Sequence, residues 1–217
     1  MHILRCGDAA TFAPLDSCRM TSGEAIPTKA QIDEALELAS ERLVVAGSDA
    51  ALAAVMTRLM RTERLDTEVA FVRATASPVT TAYGLPHGDV AAELAVTGIA
   101  QPSVLIRDES GQAIVGQALW TGPEQGKLEG QVYADSEHVF TGKVPFVELL
   151  PSLDGPGVRV ASGKKHGLRR RREWFDGRAV QLGTAGAIVV RDGVPAKRPV
   201  KRSSVYRHTE PMHLVRP

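Results

Sequence analysis

This 217-residue chain is short of cysteine, of long apolar runs and of net charge. Its two cysteines, Cys6 and Cys18, cannot build a disulfide scaffold and match no zinc-ligand spacing, so they read as reduced thiols of a cytoplasmic protein. No stretch of 18 apolar residues occurs. The longest candidates, around Leu43–Ala46 and Leu52–Met56, are broken by Gly, Ser or Asp, which excludes a membrane-spanning helix. Met1–Ala10 carries Arg5 and Asp8 and has no continuous apolar stretch, so it does not read as a secretory signal. There is no Gly-x-Ser-x-Gly elbow and no Gly-Lys-Ser/Thr phosphate loop. The six histidines show no metal spacing, and no metal site of the protein's own is expected.

What is present is a chain with 43% hydrophobic and 24% charged residues and a formal net charge of +1, a composition that folds. The near-zero balance hides a split. Gly163–Arg202 holds twelve Lys and Arg against three acids, a net +9, which leaves −8 for the remainder. The densest part is Lys164, Lys165, Arg169, Arg170, Arg171 and Arg172, with Trp174 and Phe175 just after it. Such a cluster suits a polyanion: an anionic lipid surface with the aromatic pair at the interface, or, second, single-stranded nucleic acid held by charge and stacking. Lacking any such role, it is a solvated basic turn.

Texture divides the chain in two. Met1–Arg5 reads as a strand and Thr11–Pro27 as loop. Thr28 caps a helix over Lys29–Ser40. Arg42–Ala46 is a buried strand of the parallel type, Ala50–Met60 a helix, and Glu68–Val72 a further strand. This alternation is the signature of a parallel α/β layer. From about Gln101, short β-like runs separated by Gly, Asp and Pro turns predict an antiparallel domain; they include Ala113–Leu119, Ala179–Leu182 and Ala187–Val190. The expected boundaries are an α/β domain over 1–86, completed by 196–217, and a β-rich domain over 87–195.

Two βα connections carry the chemistry. The first is Gly47-Ser48-Asp49-Ala50-Ala51-Leu52 after a strand and before a helix; the second is Val72-Arg73-Ala74-Thr75-Ala76-Ser77, followed by Gly84-Leu85-Pro86. A strand–turn–helix unit presents backbone N–H groups above the sheet, where phosphates are favoured. In order and spacing the two resemble the motifs of the diacylglycerol-kinase-like lipid kinases: Gly-Gly-Asp-Gly-Thr-Leu, then Pro-x-Gly-Thr-x-Asn and a Gly-Leu-Pro. Gly47, Asp49, Leu52, Thr75, Gly84, Leu85 and Pro86 match; Ser48, Ala50, Ala51, Val72, Ala74 and Ser77 depart. Asp192-Gly193-Val194 takes the place of that family's Asp-Gly-Glu turn in the second domain.

The resemblance implies a two-domain lipid-kinase-like architecture: a parallel α/β nucleotide-binding layer, then an antiparallel, β-sandwich-like domain. It implies ATP-dependent phosphoryl transfer to a lipid hydroxyl with Mg²⁺, and peripheral contact with a membrane. Gly47, Ser48, Asp49, Thr75 and Ser77 would be the nucleotide contacts. The departures imply a cost to catalysis. Cβ atoms at Ser48 and Ala50 would strain any positive-φ phosphate turn by about 1 kcal/mol. Val194 stands where the family has its acid, the expected general base, and an isopropyl group accepts no proton. Asp192 is then the acid nearest to hand, with Glu148 and Glu173 as other acids able to take the role. General-base catalysis contributes about 10²–10⁴-fold, so an uncompensated loss leaves an impaired or inactive member, a pseudoenzyme. The alternative, from a different class, is a non-enzymatic module that binds anionic lipid or nucleic acid through residues 164–172.

Overall fold

The structure is a computed structural model that describes residues 1–163 and 172–217. Two compact units divide the chain: Met1–Ser103 with Glu210–Pro217, and Val104–Thr209.

The first unit is an α/β layer. Its elements in chain order are β1 (His2–Cys6), β2 (Arg19–Gly23), α1 (Lys29–Leu38), β3 (Arg42–Ala46), α2 (Asp49–Arg61), β4 (Glu68–Val72), α3 (Pro78–Tyr83), α4 (Asp89–Thr97) and β5 (Ala100–Ser103). The sheet runs β2-β1-β3-β4, then the closing strand Met212–Val215, then β5. Every pairing is parallel except the last. Leu43, Val44 and Val45 are fully buried, as a parallel strand covered on both faces requires.

The helices start where short polar side chains can hold free N–H groups. Thr28 and Gln31 form a reciprocal capping box at α1. At α2 the Ser48 hydroxyl accepts from Ala51 N–H, and Arg58 and Arg61 complement the dipole in the last turn. Ser77 and Thr80 box α3, Pro78 takes its first turn, and Gly84 ends it at φ +65°.

Two elements differ from the sequence expectation. Within Thr11–Pro27, expected as loop, Arg19–Gly23 forms β2 in parallel register with β1. It is an edge strand of mostly polar side chains with Met20 exposed, so main-chain bonds to β1 hold it and hydrophobic alternation does not mark it. Asp89–Thr97, which the expected bounds put in the β-rich domain, is a helix of the first unit, where Ala91, Ala92 and Ala95 pack it closely into the core.

The second unit is antiparallel throughout. It holds β6 (Ile106–Asp108), β7 (Ala113–Ile114), β8 (Ala118–Thr121), β9 (Leu128–Ala134), β10 (Glu137–Val144), β11 (Phe146–Pro151), β12 (Val158–Ser162), β13 (Phe175–Gly177), β14 (Ala179–Arg191), β15 (Val194–Pro195) and β16 (Val200–Arg207). The closing strand Met212–Val215 is β17. Trp120, Val147, Leu149, Val160, Val180 and Val205 anchor the core, all fully buried. The two runs expected at Ala179–Leu182 and Ala187–Val190 are one strand, β14. It pairs with β9 through its first half and β8 through its second, across an irregularity between Gly183 and Ala187.

Candidate functional site

The carboxyl ends of β1, β3 and β4 open on a cavity of about 380 Å³. β1 connects onward to β2 on one side and β3 to β4 on the other, so the crevice lies where strand order reverses, the usual ligand position in an open α/β sheet. Three connections wall it: residues 7–10 after β1, Gly47-Ser48 after β3, and Arg73-Ala74-Thr75 after β4.

Each wall has a local cause. Gly7 turns at φ +59° and its N–H donates to Gly23 O at 3.0 Å. Gly47 is needed for room: a Cβ there would stand 2.9 Å from the Cβ of Cys6 and 3.2 Å from that of Ala51. Ser48 has φ −83° as the N-cap of α2, and Ala50 lies inside that helix. The strain expected at these two positions is therefore absent, because neither occupies a left-handed conformation. Burial of Cys6 beneath the turn pushes its thiol up to about 11, so it packs as a small apolar group.

Asp49 is buried behind the turn. Its carboxylate accepts from Arg73 Nη1 at 2.6 Å and from the Val79 N–H at 3.3 Å. One side chain thus ties the start of α2 to the β4 turn and to the start of α3. Arg73 O accepts from Gly88 N–H at 2.8 Å, which fixes the same turn from its far side.

Of the five expected nucleotide contacts, Gly47, Ser48 and Thr75 line the cavity. Asp49 supports it from behind, and the Ser77 hydroxyl is engaged in the α3 capping box. Two contributors were missed. Arg73 is the cation of the lining, and Asp8, following Gly7, is its carboxylate. The pair Gly7-Asp8 directly after an apolar strand was the available signal for the first wall.

The second unit gathers the other expected residues. Asp192 sits at φ +46° with its side chain buried. Its carboxylate accepts three backbone N–H bonds, from Val115 at 3.1 Å, Gly116 at 2.7 Å and Gln117 at 3.0 Å. This is also why the run expected over Ala113–Leu119 divides into β7 and β8: the N–H groups between them point at Asp192. Val194, on β15, is 41% exposed. Gln117 donates through its side-chain amide to the Glu148 carboxylate, which also pairs with Arg172. Arg172 lies 5.2 Å over the ring of Phe146 and 4.7 Å over that of Trp174, and donates to Ala161 O at 3.2 Å. Lys164, Lys165, Arg169, Arg170 and Arg171 fall outside the described residues.

Among the described residues no group of three or more His, Cys, Asp and Glu side chains could hold a metal ion. A Mg²⁺ ion commonly takes one or two carboxylates and completes its shell with water and substrate phosphates. A phosphate-borne ion of that kind suits the single lining carboxylate, Asp8.

The sequence matches no family model and no curated protein. Solved structures do match, kinases among them. A putative diacylglycerol kinase from Bacillus anthracis str. Sterne superposes with a TM-score of 0.74 at 12% identity, over 100% of this chain and 96% of that one. Another structure of a diacylglycerol kinase from the same organism gives 0.71 at 11% identity, over 100% and 96%. An NAD kinase from Archaeoglobus fulgidus, in complex with ATP, gives 0.64 at 11% identity, over 100% and 94%. The chain has the diacylglycerol-kinase-like catalytic fold: a parallel-rich α/β unit and a large antiparallel one. At such identities the likeness establishes fold.

Proposed function

We propose that the protein is a nucleotide-binding member of the diacylglycerol-kinase-like fold with phosphoryl transfer impaired or lost. The nucleotide would be ATP, taken at the cavity above β1, β3 and β4. The observation that carries this is chemical: Val194, where the resemblance puts the family's base, is aliphatic, while nearby Asp192 already accepts three backbone N–H bonds. Those three bonds tie the carboxylate to the main chain of its own unit.

On this reading the residues still perform the binding half of the reaction. The first turn of α2 opens at Ser48, so its dipole favours phosphate charge. Arg73, pinned by Asp49, adds a fixed positive charge, and the Thr75 hydroxyl adds a donor. Asp8 would meet a phosphate-borne Mg²⁺, which when bound supplies neutralisation of phosphate charge. Phosphoryl transfer depends mostly on positioning and charge neutralisation, so the loss falls on proton removal from the acceptor hydroxyl. The acceptor class that the resemblance to the lipid kinases implies is a lipid hydroxyl.

Calorimetric titration with ATP and Mg²⁺ tests the binding half. The expected result is saturable binding that weakens about tenfold or more in Arg73→Leu, which removes a charge-assisted contact. No heat with the wild-type chain at millimolar ATP would overturn it.

A further inference from the structure

The second unit carries a polar and aromatic sheet face that the nucleotide reading leaves unused. Along β16, Ser203 and Val205 are buried, so Arg202, Ser204 and Tyr206 lie on the opposite face. Register places Tyr206 beside Arg107 of β6 and Ala179 of β14. The next row joins Ser204, Gln181 and Tyr133, and the next Arg202, Gly183 and Gln131. The Arg107 guanidinium carbon lies over the Tyr206 ring, 4.6 Å from its centroid, and its Nε is buried without a protein partner. Tyr133, 38% exposed, meets His138 edge-on at 5.3 Å.

Beside these rings runs a groove of about 390 Å³, with Gly130, Gly142 and Gly183 among its lining and Gln131, Thr141 and Thr184 on its walls. At Gly130 a Cβ would stand 2.4 Å from Gly183 O, so the sheet is closed to side chains there.

Charge gives the face a sign. Among the described residues, no carboxylate pairs with Arg107 or Arg202 of this face. The nearby acids are engaged: Glu129 with Lys143 at 3.2 Å, Glu109 with the Ser204 N–H at 2.8 Å, and Asp135 with the N–H groups of Arg178 and Ala179.

We propose that this face binds single-stranded nucleic acid, with bases stacked on Tyr206 and Tyr133, phosphates on Arg107 and Arg202, and base or ribose edges on Gln131 and Gln181. Flat rings spaced across strands, open cations and amide side chains are what an unpaired strand needs from a sheet. An anionic membrane suits the face poorly. Of the large apolar side chains exposed among the described residues of this unit, only Tyr133 belongs to it; Trp174 and Val194 do not.

The test is fluorescence anisotropy of a labelled short oligouridine with the full chain, alongside the exposed-site variants Tyr133→Ser and Arg202→Glu, each first shown to keep the wild-type thermal midpoint. Binding should weaken about sevenfold between about 50 and about 200 mM salt, as for the two phosphate contacts. Tyr133→Ser should weaken it about tenfold while leaving heparin binding unchanged, because heparin offers charge without bases. Arg202→Glu should weaken both. The proposal is overturned if the wild type fails to bind at low salt, or if both variants bind as the wild type does. Equal loss of heparin and oligonucleotide in Tyr133→Ser overturns it too. So does equal affinity for vesicles of phosphatidylserine and phosphatidylcholine that compete with the oligonucleotide, which would assign the face to a membrane.

Discussion

Asp49 stands at the first position of α2, where an acid already favours the helix dipole, and its carboxylate reaches across to Arg73 and the Val79 N–H. Sequence spacing marked this aspartate as a nucleotide contact; its partner lies 24 residues away and was invisible to any local pattern. Asp49→Ala should cost about 2–4 kcal/mol in urea unfolding, since it strands a largely desolvated arginine, and Asp49→Asn less. Two other single residues make measurable claims. Cys6 is buried with its thiol pushed up to about 11, whereas Cys18 is half-buried. At about pH 8 a thiol reagent should therefore label Cys18 first and reach Cys6 only on unfolding; equal rates would contradict the burial. His2 is buried on β1, and desolvation lowers its pKa below 6.5. As pH falls through about 6.5 the unfolded chain takes up the proton more readily than the folded one, so stability present above that value declines toward acid. Urea midpoints at about pH 8 and about pH 5 should differ less in His2→Gln than in the wild type.

Elements that bury both faces or carry strong caps were legible in advance. Arg42–Ala46 and Glu68–Val72 appear with the expected bounds because continuous apolar runs of that length suit covered parallel strands. Thr28 was readable as a cap because its hydroxyl needs only the N–H three residues on. β2 was not legible, since an edge strand of Arg, Met, Thr, Ser and Gly advertises no buried side. The β14–β15 turn shows a different limit. Asp192-Gly193 looks like an ordinary hairpin turn, yet Asp192 holds a segment 75–77 residues earlier in the chain. Asp192→Ala should therefore destabilise the second unit by about 3 kcal/mol, because buried N–H groups lose a charged acceptor. A cost near that of an exposed turn substitution would contradict the latch.

At the level of the whole molecule, the order of motifs carried more information than residue identity. The solved kinases that share the fold are 11–12% identical to this chain, and the Gly47–Leu52 and Val72–Ser77 turns were recognisable by place and spacing. The structure adds what spacing could not. Gly47, Ser48 and Thr75 share one cavity, Arg73 supplies its cation, and Asp192 is committed to backbone. On the proposed reading, fold and ligand site outlast the group that completes the chemistry, because packing and caps preserve the first two without it. If the missing base is the principal defect, Val194→Glu should raise phosphoryl transfer to a lipid hydroxyl about 10²-fold or more over the parent chain.

The most direct measurement is transfer of labelled γ-phosphate from ATP to diacylglycerol in mixed vesicles by the purified wild-type protein, at nucleotide concentrations shown calorimetrically to saturate it. The expected outcome is a nucleotide-loaded protein that forms no phospholipid product above background. Sustained Mg²⁺-dependent turnover by the unmodified chain would contradict it.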